Sequence, residues 1–160
     1  DALRPLKKRS LLGLAFVSMQ HEISVEVLAH KIDGRYCARL KAVRLLFGRE
    51  KSTIYVSRKY PAGTCEFKAI LAHENEHMEI NARVQSKYEA KLKGALEDSA
   101  KVIQPFLTTN HKAAPKALAA RFASDTKPIM KAFQEERAAL NARIDTPQSY
   151  QKTRSLCANW

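Results

Sequence analysis

His73-Glu74-Asn75-Glu76-His77 is the stretch of this chain whose residue types and spacing can do chemistry. Two histidines four residues apart project from one face of a helix, about one turn from each other. From there both imidazoles can bind one metal ion, and zinc is the ion this pattern suits. Glu74 follows the first histidine and is placed to accept a proton from a metal-activated water. The pattern therefore predicts hydrolytic chemistry, provided that a helix carries it and that a third ligand completes the metal site.

No spacing signature supplies that third ligand. Glu97 lies 20 residues after His77, but on an unbroken helix it would face away and sit about 30 Å along the axis. A third histidine in the HExxHxxGxxH position is absent, and Asn81 and Arg83 occupy that stretch. Helix pairing gives a better candidate. If the motif helix turns back near residues 105–112, residues 135–145 return alongside it. Ile129, Phe133, Leu140 and Ile144 form an apolar stripe there, and Glu136 falls inside it. A carboxylate in such a stripe needs a cation or a hydrogen-bond partner. Glu136 is thus the predicted third ligand, ahead of Asp145, whose plainer role is to cap the helix start at Thr146-Pro147. His21, His30, His111 and Glu135 are further polar candidates, with His111 reading as a loop residue. Asn81 reads as a hydrogen-bonding partner within the site or to backbone, and Glu76 and Glu79 as solvated surface. Tyr60, Tyr88 and Tyr150 read as packing aromatics, with an oxyanion donor as the functional alternative.

The elements that must position these groups can be read from hydrophobic period. Thr64 is a plausible N-cap, and no Gly or Pro occurs from 65 to 93, so one helix is predicted from about 65 to about 103. Stepping about 100° per residue aligns His73 and His77 with Ile80, Val84, Tyr88, Leu92 and Ala95 on the inward face. Upstream, residues 23–60 alternate as strands do. Three strands are predicted, around Ile23–Val27, Tyr36–Ala42 and Ile54–Val56, with turns at Asp33-Gly34 and at Gly48-Arg49-Glu50-Lys51. The strand Thr53–Lys59 could offer an edge to an extended peptide. Downstream, helices are predicted over about 113–123 and 127–144, the second capped by Ser124-Asp125-Thr126 with Pro128 in its first turn. Asp145-Thr146-Pro147 starts a final turn or short helix. The fold class is α+β: a short antiparallel three-stranded sheet, then a long HExxH-bearing helix and C-terminal helices, in one domain spanning 1–160.

Composition bounds the partners. The net charge is +12, with 13 Lys/Arg against 5 Asp/Glu in residues 1–60, 6 against 7 in 61–110, and 9 against 4 in 111–160. The excess lies outside the motif region, where it reads as a solvated basic surface that can also attract polyanions. No helix-turn-helix, zinc-finger or aromatic-stacking signature accompanies it, so nucleic acid is not the predicted partner. No apolar run approaches the roughly 20 residues that span a bilayer. Arg4-Pro5-Leu6-Lys7-Lys8-Arg9 followed by the apolar stretch Leu11–Met19 resembles a leader. No small-x-small cleavage site follows it, so it reads as a helix or strand of the mature chain. Cys37, Cys65 and Cys157 form no CxxC pair. They suit one disulfide in an exported protein, with Cys157 joined to Cys65 or Cys37, or else three buried thiols.

A short sheet followed by an HExxH helix resembles the zincin metallopeptidases. The stretch from Tyr60-Pro61-Ala62-Gly63-Thr64-Cys65 to His73-Glu74-Asn75-Glu76-His77, with the tail Ile144-Asp145-Thr146-Pro147-Gln148-Ser149-Tyr150 and Cys157, is similar to small exported bacterial zinc-dependent proteases. The resemblance implies His73 and His77 as zinc ligands, Glu74 as general base, a peptide or protein substrate (a cell-wall peptide among them) and a periplasmic or secreted location. The recognisable third-ligand motif of well-studied zincins is missing. The rival expectation is a non-catalytic basic envelope or nucleic-acid-binding protein with a structural or vacant metal site.

Overall fold

The structure, a computed structural model, describes residues 12–160. Its sheet is built on one long hairpin. Strand β1, Gly13–Ile32, pairs antiparallel with β2, Arg35–Val56, along its whole length. The two-residue turn is Asp33-Gly34, both at positive φ (45° and 80°), the conformation that fits the twist of a hairpin and favours Gly. The predicted turn at residues 48–51 is not a turn. β2 runs through it, and the register with β1 shifts there between Ser18 and Met19, with Glu50 as the extra residue. A bulge, with Gly48 at φ 155°, absorbs the chain that the Gly-Arg-Glu-Lys sequence offered to a turn. The two segments read as separate second and third strands are therefore one strand. The true third strand, β3, Phe106–Thr108, comes after the motif helix and adds to β2 at Tyr36–Ala38. The sheet is three-stranded and antiparallel in the order β1-β2-β3. The basic stretch at residues 4–9 lies outside the described residues, and Gly13–Met19 belong to β1.

Helix α1, Cys65–Lys101, follows the predicted limits closely, and Thr64 caps it by accepting the Phe67 N–H at 3.2 Å. Its buried face carries His73, His77, Ile80, Val84, Tyr88 and Leu92 as the period required, with Leu96 rather than Ala95 buried at the far end. Helix α2, Ala114–Ile144, is one helix where two were expected. Pro128 lies inside it and removes a backbone donor, at a cost of about 3 kcal/mol. The apolar stripe Leu118, Phe122, Ile129, Phe133 continues across the break, and Phe122 and Phe133 are fully enclosed. Burying two such aromatic side chains yields about 1.5–3 kcal/mol each, which outweighs the local penalty. Ser124-Asp125-Thr126 therefore caps nothing: Thr126 is buried, and its hydroxyl donates back to the Phe122 carbonyl at 2.8 Å. Helix α3, Pro147–Ser155, is capped by Thr146, whose hydroxyl accepts the Ser149 N–H at 3.1 Å.

The two long helices cover one face of the hairpin. Leu96, Leu118 and Phe122 meet Ile23, Val25, Leu40 and Val43 at one end. Ile80, Val84, Tyr88 and Phe133 meet Met19 and Phe47 in the middle. Leu12, Tyr60 and Ile70 pack with Tyr150 and Trp160 at the other end. A Cys65–Cys157 disulfide ties the end of the chain to the start of α1, one of the two pairings expected, and Cys37 is free. No helix of the described residues is long and apolar enough to cross a membrane.

Candidate metal centre

His73 and His77 sit on α1 between Ile70 and Ile80, that is, between the terminal and the middle apolar clusters. Both are buried, at 5% and 8% exposure. Imidazoles this enclosed need polar partners, and the junction of α2 and α3 supplies them. Asp145, the residue that ends α2, points one carboxylate oxygen at both rings: Oδ1 lies 3.4 Å from His73 Nε2 and 3.2 Å from His77 Nε2. These three atoms form a group that can hold a metal ion. Three tetrahedral ligands about 2.0–2.2 Å from one ion lie about 3.4 Å from one another, which is the spacing between Asp145 Oδ1 and each ring nitrogen.

The surrounding hydrogen bonds favour that reading. Asn141 Nδ2 donates to the Arg137 carbonyl at 2.7 Å, which leaves Asn141 Oδ1 as an acceptor facing His77 Nδ1 at 2.6 Å. His77 must donate from Nδ1, so its Nε2 carries a lone pair unless the ring is doubly protonated. That lone pair faces a carboxylate oxygen. Two acceptors this close are reconciled only by a proton or a cation between them. The position of Asp145 sharpens the point, because a carboxylate at a helix C-terminus meets the negative end of the helix dipole. Burial pushes the Asp145 carboxyl up; the Tyr150 hydroxyl, donating at 2.8 Å, and the two histidines reverse this and hold it below its usual value.

Glu74 shares the buried face, at 6% exposure, and points toward β1. Its carboxylate accepts the Ala15 backbone N–H and lies so close to Gly13 that a Cβ there would meet Glu74 Oε1 at 2.6 Å. Burial raises the Glu74 carboxyl above its usual value, and the neighbouring His77 and His73 offset this in part. A carboxylate so raised is a better proton acceptor than an exposed one. Glu74, His77 and Asp145 line a cavity of about 500 Å³, bounded by Gly13–Ala15 and Val17 on one side and by α2 on the other. The strand that borders the cavity is β1, an edge strand of the sheet among the described residues, whereas Thr53–Lys59 do not line the cavity.

Glu136, the predicted third ligand, is not brought to the histidines. It lies nine residues before Asp145 on α2, about 13 Å along the helix. Its carboxylate is taken by Lys87 Nζ at 2.7 Å and by the Tyr88 hydroxyl at 2.9 Å. The partner that a carboxylate in the stripe required exists, but it is an ammonium and a phenol rather than a metal. Asp145 is the carboxylate that faces the histidines, because Thr146 supplies the α3 cap and leaves the aspartate free to do so. Of the other candidates, Glu97 is exposed near Lys93, and His21 and His30 are exposed. His111 opens a short 3-10 turn and stacks on Tyr36 at 4.1 Å. Asn81 donates to the His77 carbonyl at 2.7 Å, as anticipated. Glu76 and Glu79 are exposed. Gly13 and Asn141 were not anticipated. Asn141 has a sequence signal, four residues before Asp145 and so on the same helical face; Gly13 has none, because its role is a contact across 61 positions of chain. No protein-family model, no curated protein and no solved structure matches the chain.

Proposed function

We propose that the protein is a zinc-dependent peptidase of zincin type, with His73, His77 and Asp145 holding the metal and Glu74 as general base. The observation that carries the proposal is the convergence of both ring nitrogens and one carboxylate oxygen at ligand spacing, beside a raised, buried Glu74 in a cavity. Two imidazoles and a carboxylate suit zinc. When bound, zinc would polarise the scissile carbonyl and lower the pKa of a coordinated water toward about 7. The chain's own residues do the rest. Asn141 fixes the His77 ring so that Nε2 is the ligand atom, and Tyr150 orients Asp145. Glu74, anchored on Ala15 and Gly13, accepts the proton of the attacking water and passes it to the leaving amine. The edge strand β1 beside the cavity supports an extended peptide as the substrate, added as a further strand. A cell-wall peptide is one member of that class. The Cys65–Cys157 disulfide accords with a periplasmic or secreted location.

The test is peptide hydrolysis with and without a chelator, and in Glu74→Gln. Chelation abolishes the activity, and the variant retains bound zinc while losing about 10²–10⁴-fold in rate. A Glu74→Gln protein with zinc and full activity refutes the assigned base. Protein that purifies without metal, binds polyanions and shows no chelator-sensitive hydrolysis points instead to the non-catalytic alternative.

A further inference from the structure

Arg137 departs from how this chain otherwise treats its cations. Every other lysine and arginine among the described residues is exposed, and Arg137 alone is half-buried. It lines the cavity, yet it forms no ion pair there; the carboxylates lining the same cavity, Glu74 and Asp145, are engaged with Ala15 and with the histidines and Tyr150. Its guanidinium rests instead over the ring of the buried Phe133, 5.9 Å from the centroid. A partly desolvated cation without a counter-charge is costly, and the stacking offsets only part of that cost. Asn81 lines the same cavity, 5% exposed, with its Oδ1 buried and unpartnered while its Nδ2 is held by the His77 carbonyl. Arg137 is thus the cavity's uncommitted cationic donor, whereas Asn81 Oδ1, with almost no accessible surface, is not presented to the cavity.

We propose that Arg137 selects substrates that carry a carboxylate a few residues from the cleaved bond. This rests on the peptidase reading above and names the substrate class for that site. Arg137, Asn141 and Asp145 stand at i, i+4 and i+8 on one face of α2, so Arg137 is rooted about 12 Å along the helix from the metal ligand. An extended peptide advances about 3.3 Å per residue, and an arginine side chain covers part of the distance. The carboxylate therefore falls about two to four residues from the scissile bond. It can belong to an acidic side chain or to a chain terminus, because a guanidinium fork takes either in the same two-bond geometry.

The test uses the zinc-loaded protein and fluorogenic peptides in which one Glu, or Gln as its match, is walked through about four positions on each side of the cleaved bond. Free-acid and amidated C-termini separate the two carboxylate sources. At one register kcat/KM is about tenfold or more higher for the carboxylate than for its neutral match. Arg137→Gln brings that ratio to about one, Arg137→Lys keeps part of it, and Arg137→Glu takes it below one. Equal ratios in the wild type and Arg137→Gln, or no preference at any register in the wild type, overturn the inference. If the wild type cuts no peptide, the peptidase reading fails, and calorimetric binding of the same peptides to zinc-loaded Glu74→Gln, with and without Arg137→Gln, still decides the role of Arg137. An affinity difference between Glu and Gln peptides that vanishes in the double variant supports it, and no difference overturns it.

Discussion

Replacing Asp145 with Asn separates the two candidate third ligands. Asparagine keeps the size of the side chain and removes its charge. In the wild type, Asp145 Oδ1 stands 3.4 Å from His73 Nε2 and 3.2 Å from His77 Nε2, so the substitution strips an anionic ligand from the centre. A lower bound on the loss follows from the partner groups. Removing a hydrogen-bond partner of a ligand, such as Asn141 behind His77, costs about 10–100-fold in metal affinity. Losing the ligand itself must exceed that, so Asp145→Asn weakens zinc binding at least about 100-fold, or roughly 2.7 kcal/mol. Glu136→Gln is the matched control. Its carboxylate is committed to Lys87 and Tyr88, away from both rings, so zinc affinity changes by less than about twofold, the spread of substitutions that do not share a partner. Competition with a chromophoric chelator measures both, and the unfolding midpoint of the metal-free proteins shows whether either variant is merely unfolded. Unchanged affinity in Asp145→Asn, or the larger loss in Glu136→Gln, would refute the assignment of the ligand and with it the geometry of the site.

Three further outcomes follow from other contacts. Gly13→Ala forces a Cβ to within 2.6 Å of Glu74 Oε1 and 2.7 Å of Ile70 Cγ2. The carboxylate is the more movable of the two, so turnover falls about 100-fold while zinc content holds, and equal turnover in the two proteins would show that Glu74 needs no fixed position. Cutting the Cys65–Cys157 bridge by a double Ser substitution frees a loop of sequence separation 92; the chain-entropy model puts the loss at about 4–5 kcal/mol, read as a drop in Tm of about 10–15 °C. Glu136 is held below its usual carboxyl range by hydrogen bonds from Lys87 and Tyr88. Its contribution to stability is therefore present above pH 4.5 and is lost as the pH falls through the lowered folded value. The difference in unfolding midpoint between wild type and Glu136→Gln should accordingly narrow from pH 7 to pH 3, and a difference that widens on acidification contradicts the ion pair.

What could be read from the sequence was what local spacing determines. The helix from Thr64, its inward face and the histidine pair with Glu74 all rest on offsets of three or four residues, and the structure keeps them. The Asp33-Gly34 turn is equally local. Two local signals were overruled by packing: Gly48-Arg49-Glu50-Lys51 became a bulge because β1 pairs on both sides of it, and Pro128 was absorbed because Phe122 and Phe133 fill one continuous core stripe.

The error in the third ligand was one of register, and the contacts between the two long helices show its size. Antiparallel helices pair at a constant index sum. Here Ser99–Asp125, Lys87–Glu136 and His77–Asp145 give 224, 223 and 222. Glu136 is thus fixed opposite Lys87, and the group that returns to His77 must come from the C-terminal end of α2, where Asn141 and Asp145 lie on one face. Splitting α2 at Pro128 hid this, because two independent helices carry no common register to extend from one pair to the next. A carboxylate between Phe133 and Leu140 needs a partner, and Glu136 has one in Lys87 and Tyr88. An apolar stripe alone does not distinguish a metal from a lysine as that partner. Asp145 is likewise a carboxylate in need of a partner, at the unfavourable end of a helix dipole beside two enclosed imidazoles, and that juxtaposition marks a group that can hold a cation without any family motif.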